Sequence, residues 1–165
     1  YMNIQKARYK EKITVIFNIE EDVYDYCMVK LVLQPILENS LNYGINDFDE
    51  DNEITITGKL HEGKIYLTVA DNGMGISEEQ LEFILTDSDI ALKLGSGVGL
   101  VNVDQRLKIF FGQEYGLHIE SQLDEGTKVT IVVPALPFTK ENQQIIEQGY
   151  HYGGGDVIER KDGTP

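Results

Sequence analysis

The sequence predicts an α/β fold: a two-layer sandwich in which about three helices lie on one face of a mostly antiparallel mixed sheet. Three observations predict it. Five segments, 13–19, 53–57, 64–70, 117–122 and 127–133, alternate apolar and polar residues with the period of half-buried strands. Two pairs of these segments are joined by short turns, His61-Glu62-Gly63 and Asp124-Glu125-Gly126, which makes each pair a hairpin. Three further stretches carry apolar residues at helical spacing. The order of the strands in the sheet is left open by the pattern.

Taken along the chain, residues 1–10 are polar and read as the end of a helix belonging to something upstream. Ile13, Val15, Phe17 and Ile19 then alternate along the first strand. Leu33, Ile36, Leu37, Leu41 and Ile45 form one helical face over residues 32–45. Pro35 is tolerated there in the first turn, where the backbone N–H groups lack partners in any case. An acidic loop, 47–52, leads into the first hairpin. A short helix over 77–85 opens on Ser77, with Gln80 three residues later as in a capping box. Residues 87–97 are polar and glycine-bearing. A helix over 99–111 places Leu100, Val103, Leu107 and Phe110 on one side, and the second hairpin follows. Pro134 and Pro137 end the ordered pattern. We therefore expect one domain, 11–137, with a flexible tail over 138–165 that includes Gly153-Gly154-Gly155.

Composition bounds the function. Fourteen Lys plus Arg against 28 Asp plus Glu leave a net charge of −14, which opposes broad binding to nucleic acid or an anionic membrane. That balance still permits one small phosphate ligand held by backbone amides and a metal. Hydrophobic residues at 41% exclude a disordered chain, and no run reaches the roughly 18 apolar residues of a membrane span. With no basic start leading into an apolar stretch, and a single cysteine, Cys27, the expectation is a cytoplasmic domain in a reducing compartment. Cys27 itself, beside Met28 and Val29, reads as a small buried hydrophobe.

Three segments carry candidate chemistry. On the helix at 32–45 the apolar stripe leaves Glu38, Asn39, Asn42 and Tyr43 on the other side. Such a side is either a solvated face or, with the Asn39 amide oxygen, a ligand for Mg²⁺. Asp71-Asn72-Gly73-Met74-Gly75-Ile76 contains the Asn-Gly pair of a plain turn. Because a helix cap follows it, the unit is strand–loop–helix, with a carboxylate at the strand end free to accept from a ligand amine. Gly95-Ser96-Gly97-Val98-Gly99-Leu100 precedes a helix, where freed backbone amides and the helix dipole attract an anion. It lacks the Gly-Lys-Ser/Thr of a Walker loop and the third glycine of a dinucleotide fold. Its other reading is a flexible linker.

Their order is informative. Leu31-Val-Leu-Gln-Pro-Ile-Leu-Glu-Asn39, Asp71-Asn-Gly-Met-Gly75, Gly97-Val-Gly-Leu-Val-Asn-Val and Gly126-Thr127 together resemble the ATP-binding domain of sensor histidine kinases, most of all the YesM/LytS type. The likeness runs from about residue 5 to 135 and takes in Gly99-Leu100, Arg106-Leu107 and Phe111-Gly112. It implies the Bergerat sandwich shared with gyrase, Hsp90 and MutL. It further implies that Asn39 binds Mg²⁺, that Asp71 accepts from the adenine amino group, and that Gly73 and Gly75, with Ile76 beside them, let the backbone close on the base. Gly97, Val98, Gly99 and Leu100 correspond to the loop and helix start against the phosphates, and Thr127 to the threonine near the adenine-side water network.

Three departures qualify the likeness. Asn42-Tyr43 stands where members often carry a basic pair, so phosphate affinity leans on Mg²⁺ and backbone amides; Lys93 is a substitute or a solvated lid residue. Pro35 occupies the position of the water-activating Glu of gyrase-like relatives, which suits phosphoryl transfer better than hydrolysis. Glu38 either polarises a nucleophile or is a surface carboxylate. Finally, His61, His118 and His151 fall in a turn, a strand and the tail, not on an acceptor helix. The resemblance thus implies the catalytic half of a kinase, with residues 1–10 as the remnant of a helical dimerisation region. Its ligands would be ATP and Mg²⁺, its partners that histidine-bearing domain and a response regulator, and its parent a homodimeric membrane sensor. A gyrase-like ATPase, or a nucleotide-binding module without turnover, are the alternatives.

Overall fold

A computed structural model describes residues 13–28, 32–45, 51–86 and 98–151. Five strands form one sheet: β1 (Ile13–Ile19), β2 (Asn52–His61), β3 (Lys64–Asp71), β4 (Gly116–Gln122) and β5 (Gly126–Pro134), in the spatial order β1-β2-β3-β5-β4. β1 runs parallel to β2 and every other neighbour is antiparallel. The parallel pair follows from connectivity, since a parallel neighbour needs a long crossover. Here the crossover contains a 3-10 turn, Glu21–Asp25, which the sequence pattern did not announce, and helix α1 (Leu33–Asn39).

Alternation sets the layers. Ile54 and Ile56 of β2, Ile65, Leu67 and Val69 of β3, and Val129, Ile131 and Val133 of β5 are buried and form one core with Ile36, Leu37 and Leu41. Leu100, Val103 and Leu107 of α3 (Val98–Phe111) join the same core, and α2 (Glu78–Thr86) lies between the two hairpins in the chain. The opposite parity is mostly polar, with Val132 of β5 buried on it: the Thr68 and Thr130 hydroxyls meet at 3.0 Å, and Lys128 pairs with Glu120 at 2.6 Å. α3 is tied to the edge strand by Asp104, whose carboxylate accepts from the Leu117 N–H at 2.8 Å and pairs with Lys108 at 2.7 Å.

Two sequence expectations are corrected. The helix expected as one piece over 32–45 is α-helical only to Asn39, and Ser40–Gly44 is a π-helical turn. Such turns cluster at functional sites because one inserted residue redirects the side chains around it. The tail expected from 138 contains a fourth helix among the described residues, α4 (Lys140–His151). Thr139 caps it, its hydroxyl accepting from the Asn142 N–H at 3.2 Å, and Ile146 is buried in the core. The chain ahead of α4 is strapped to residues 25–27: the Cys27 N–H donates to Leu136 O at 2.8 Å and the Phe138 N–H to Asp25 O at 3.0 Å. Cys27 is buried beside this strap, its thiol 3.6 Å from Pro137 O.

Ile146→Ala should therefore lower the unfolding free energy by about 2–4 kcal/mol, the cost of an aliphatic deletion in a packed core. Urea unfolding measures it. A change near zero would mean that α4 does not dock.

Candidate functional site

The inward rows of the sheet turn polar at one end. Val69, Val129 and Ile119 point toward the helices, and the next positions of the same parity are Asp71, Thr127 and Ser121. Asp71 lies opposite Thr127, and Thr127 opposite Ser121, so the three form one row across β3, β5 and β4. Asn52, buried, begins the inward row of β2 at the same end.

Asp71 is 7% exposed. Its Oδ1 accepts from the Thr127 N–H at 3.1 Å and from the Gly73 N–H at 3.2 Å, and the Ser40 hydroxyl donates to the same carboxylate. Burial pushes its pKa above the ordinary 3.8, and the bonds from Ser40, Gly73 and Thr127 pull the other way without cancelling it. The site thus holds a partly desolvated acceptor that a hydrogen-bond donor would relieve.

The loop after β3 is pinned on both sides. Asn72 accepts from the Glu53 N–H and donates to Asp51 O, each at 2.8 Å. Across the sheet, the Asp124 N–H donates to Met74 O at 2.8 Å and the Ile76 N–H to the Ser121 hydroxyl at 2.8 Å. Two glycines make this approach possible. Gly75 has φ 66°, and a Cβ there would lie 2.0 Å from Gln122 O; Gly126 has φ 105°, and its Cβ would lie 2.0 Å from Asp71 O. Any side chain at either position would displace backbone. The loop then enters α2 through Ser77, which accepts from the Gln80 N–H at 3.3 Å as its capping box requires.

On the helical side, a Cβ on Gly99 would lie 3.2 Å from the Pro35 Cβ, so the start of α3 sits directly against the first turn of α1. Asn39 follows Pro35 by four residues and shares that side of the helix. It is half-buried, and the next residue, Ser40, reaches Asp71.

This sheet end, with its glycine-shaped loop and the asparagine that ends α1, lies within a match to a family model. Residues 25–137 match the model of the histidine kinase-, DNA gyrase B- and HSP90-like ATPases. The chain belongs to this family. Sensor histidine kinase YesM of Bacillus subtilis is 34% identical over 134 residues, covering 81% of this chain and 22% of that protein. Sensor protein LytS of Bacillus cereus is 35% identical over 147 residues, covering 89% of this chain and 24% of that protein. The chain therefore spans under a quarter of these relatives' length. The fold matches the catalytic domain of histidine kinase ThkA with a TM-score of 0.62 at 21% identity, covering 83% of this chain and 88% of that one. The mycobacterial sensor histidine kinase MprB gives a TM-score of 0.56 at 16% identity, covering 83% and 91%.

Set against this ATPase family, the site residues named from the sequence do not all play the same part. Asp71, Gly73, Ile76 and Thr127 converge through hydrogen bonds, and Asn39 is carried beside them by Ser40 and by the Pro35–Gly99 contact. Gly75 is committed to the Gln122 carbonyl, Gly99 to Pro35, and Leu100 is 1% exposed in the core, so all three shape the site from behind. Glu38 accepts from the Gln34 side chain at 3.1 Å one turn earlier, and Asn42 is exposed. Tyr43 and Val98 stand in the π-helical turn and at the first position of α3. Lys93 and Gly97 lie outside the described residues.

Sequence reasoning missed Ser40 and Ser121. Both carried a signal: Ser40 follows Ile36 and Leu37 at spacings that place it on the buried stripe, and Ser121 continues the inward parity of Leu117 and Ile119. A polar residue in an apolar row needs a partner.

Two outcomes follow for Asp71→Asn. The Asn oxygen keeps the Gly73 and Thr127 bonds and its NH₂ donates to Ser40, so the buried charge is removed at little structural cost. Because the folded pKa is raised, ionised Asp71 opposes folding above that pKa and is neutral below the unfolded value. The variant should thus melt higher than the parent at neutral pH, with the difference vanishing near pH 3; a lower melting temperature at pH 7 would contradict this. Adenine-nucleotide binding, measured by calorimetry, should be lost in the variant. In the parent it should weaken on acidification at a pH above the ordinary carboxylate value.

Proposed function

We propose that this domain binds Mg·ATP and presents the γ-phosphoryl group to a histidine on a separate dimerisation domain of its parent kinase. One observation carries the reading: a buried, ionisable acceptor, Asp71, closes the sheet end, while Asn39 stands one turn after the Pro35 that packs against the start of α3. The carboxylate suits the adenine amino group, and the side-chain oxygen of Asn39 suits Mg²⁺. Among the described residues no group of three or more His, Cys, Asp or Glu could hold a metal, so the cation would take most of its ligands from phosphates and water, as Mg²⁺ commonly does. The metal would supply charge neutralisation at the phosphates. The protein's part is positioning, which is most of what phosphoryl transfer requires.

Pro35 supports transfer over hydrolysis, because it offers no carboxylate to activate water. Asn39, with Glu38 beside it, would handle the transferred phosphate. The backbone at Val98, Gly99 and Leu100 would face the phosphates, with Asn42 and Tyr43 flanking them; Lys93 and Gly97, assigned to the same role from the sequence, lie outside the described residues. Relatives named sensor histidine kinase and sensor protein support a sensor kinase as parent. In the same proposal that parent would be a homodimeric membrane sensor, with this domain on its cytoplasmic side and a response regulator as next acceptor. No helix among the described residues is long and apolar enough to cross a membrane.

Mixing this chain with the parent's dimerisation domain and γ-labelled ATP should place label on a histidine. Free phosphate alone would indicate an ATPase, and binding without either a module without turnover. Asn39→Ala should weaken ATP binding about tenfold in Mg²⁺ and leave it unchanged in EDTA. An equal loss in both would remove the metal role.

A further inference from the structure

We propose that Ser121 sets the purine selectivity of the site by fixing the direction of the Thr127 hydroxyl. The inference rests on the nucleotide reading above and names the group that selects the base. A serine hydroxyl has one proton and two lone pairs. At Ser121 the Ile76 N–H occupies one lone pair at 2.8 Å, and the proton goes to Gly126 O at 2.9 Å. The third neighbour, Thr127 Oγ1, stands at 2.8 Å, where either oxygen satisfies the distance. Gly126 O can only accept, whereas Thr127 can donate or accept, so giving the Ser121 proton to Gly126 O satisfies all three groups and makes Thr127 the donor. Its hydroxyl proton therefore points along the row toward β4, and only lone pairs remain for a ligand.

Its cross-strand neighbour Asp71 offers lone pairs as well. It has already taken N–H donors from Gly73 and Thr127 on Oδ1 and the Ser40 hydroxyl, so in its ionised form it offers acceptors alone. Two adjacent groups of one row are thus acceptors together. The contrast lies at position six of the purine: an amino group there brings donors to that row, whereas a carbonyl brings a third acceptor with its N1–H directed to one side, and an unmatched acceptor is costly when buried. Discrimination of this kind lasts only while Thr127 cannot turn round and donate. Ser121 prevents the turn, and it touches no base itself: it is a positioning residue.

The test compares ADP with GDP on the whole chain by calorimetry in Mg²⁺, for the parent, Ser121→Ala and Ser121→Thr. The parent should prefer ADP, Ser121→Ala should lower the ADP-to-GDP affinity ratio about tenfold, and Ser121→Thr, which keeps the hydroxyl, should restore it. A loss of the same size for both nucleotides, or an unchanged ratio, would reduce Ser121 to a clamp on the Ile76 loop and overturn the proposal. A parent without preference for ADP would overturn the adenine reading itself, which separates the two failures. Should Ser121→Ala not fold, neutron diffraction of the parent decides: a deuteron on Thr127 aimed at Ser121 supports the proposal, and one on Ser121 aimed at Thr127 overturns it.

Discussion

A carboxylate buried at the end of a central strand is the constraint around which this domain is arranged. Asp71 costs free energy where it stands, since burial raises its pKa despite donors from Ser40, Gly73 and Thr127. Those donors come from three places in the chain: the turn after α1, the loop after β3, and the start of β5. Each must hold its position for the acid to be tolerated. Gly126 lets the β4–β5 turn press on the Asp71 backbone, Gly75 lets the following loop press on that turn, and Asn72 ties the loop to β2. The features surrounding the acid are thus consequences of keeping one charged group in a nearly dry position, a stability cost of the kind that binding sites carry.

Two small contacts fix the helical layer at this sheet end, one to the sheet and one between helices. Ser40 touches Asp71, and Pro35 touches Gly99. The first joins the asparagine-bearing helix to the acid; the second brings the start of α3 against the same helix. Neither is a large apolar surface. The bulk of the packing, Ile36, Leu37, Leu100 and Leu107 against the inward rows of β2, β3 and β5, sets the distance between layers, and the small contacts set the orientation of the polar groups. A substitution at either small contact would leave the core intact while misplacing the site.

The sheet was legible in the sequence because its strands keep strict alternation, and both hairpins were legible from their turns. The parallel pairing of β1 was not, because alternation says which face a residue occupies and nothing about its neighbour. α4 escaped for a different reason. Its apolar content is chiefly Ile145 and Ile146, adjacent and not spaced at a turn, so its helicity comes from the Thr139 cap and from burial of Ile146 against distant residues. The π-helical turn is likewise invisible to a 3.6-residue period. At the site, Asp71 and Thr127 were legible through the motif order, whereas Ser40 and Ser121 were not, because each was read as part of an amphipathic pattern instead of as an exception to it. Their positions show where the exceptions lie: on the inward parity, at the last turn or last rung.

That observation gives a physical reason why so acidic a chain can take a nucleotide. With a net charge of −14, no broad electrostatic attraction draws a triphosphate in. In the proposed reading, affinity would come from short-range groups in fixed directions: an acceptor row at the base end, backbone amides at a helix start, and a cation brought by the ligand. Short-range groups act only when pre-oriented, since a freely turning hydroxyl or loop pays its ordering cost on every encounter. Here the orienting work is already done inside the protein, by Ser40 on the acid, Ser121 on the threonine and the loop, and Pro35 on the start of α3. The hydroxyls and the proline are therefore as much a part of recognition as the groups that would face the ligand, although none of them needs to touch it.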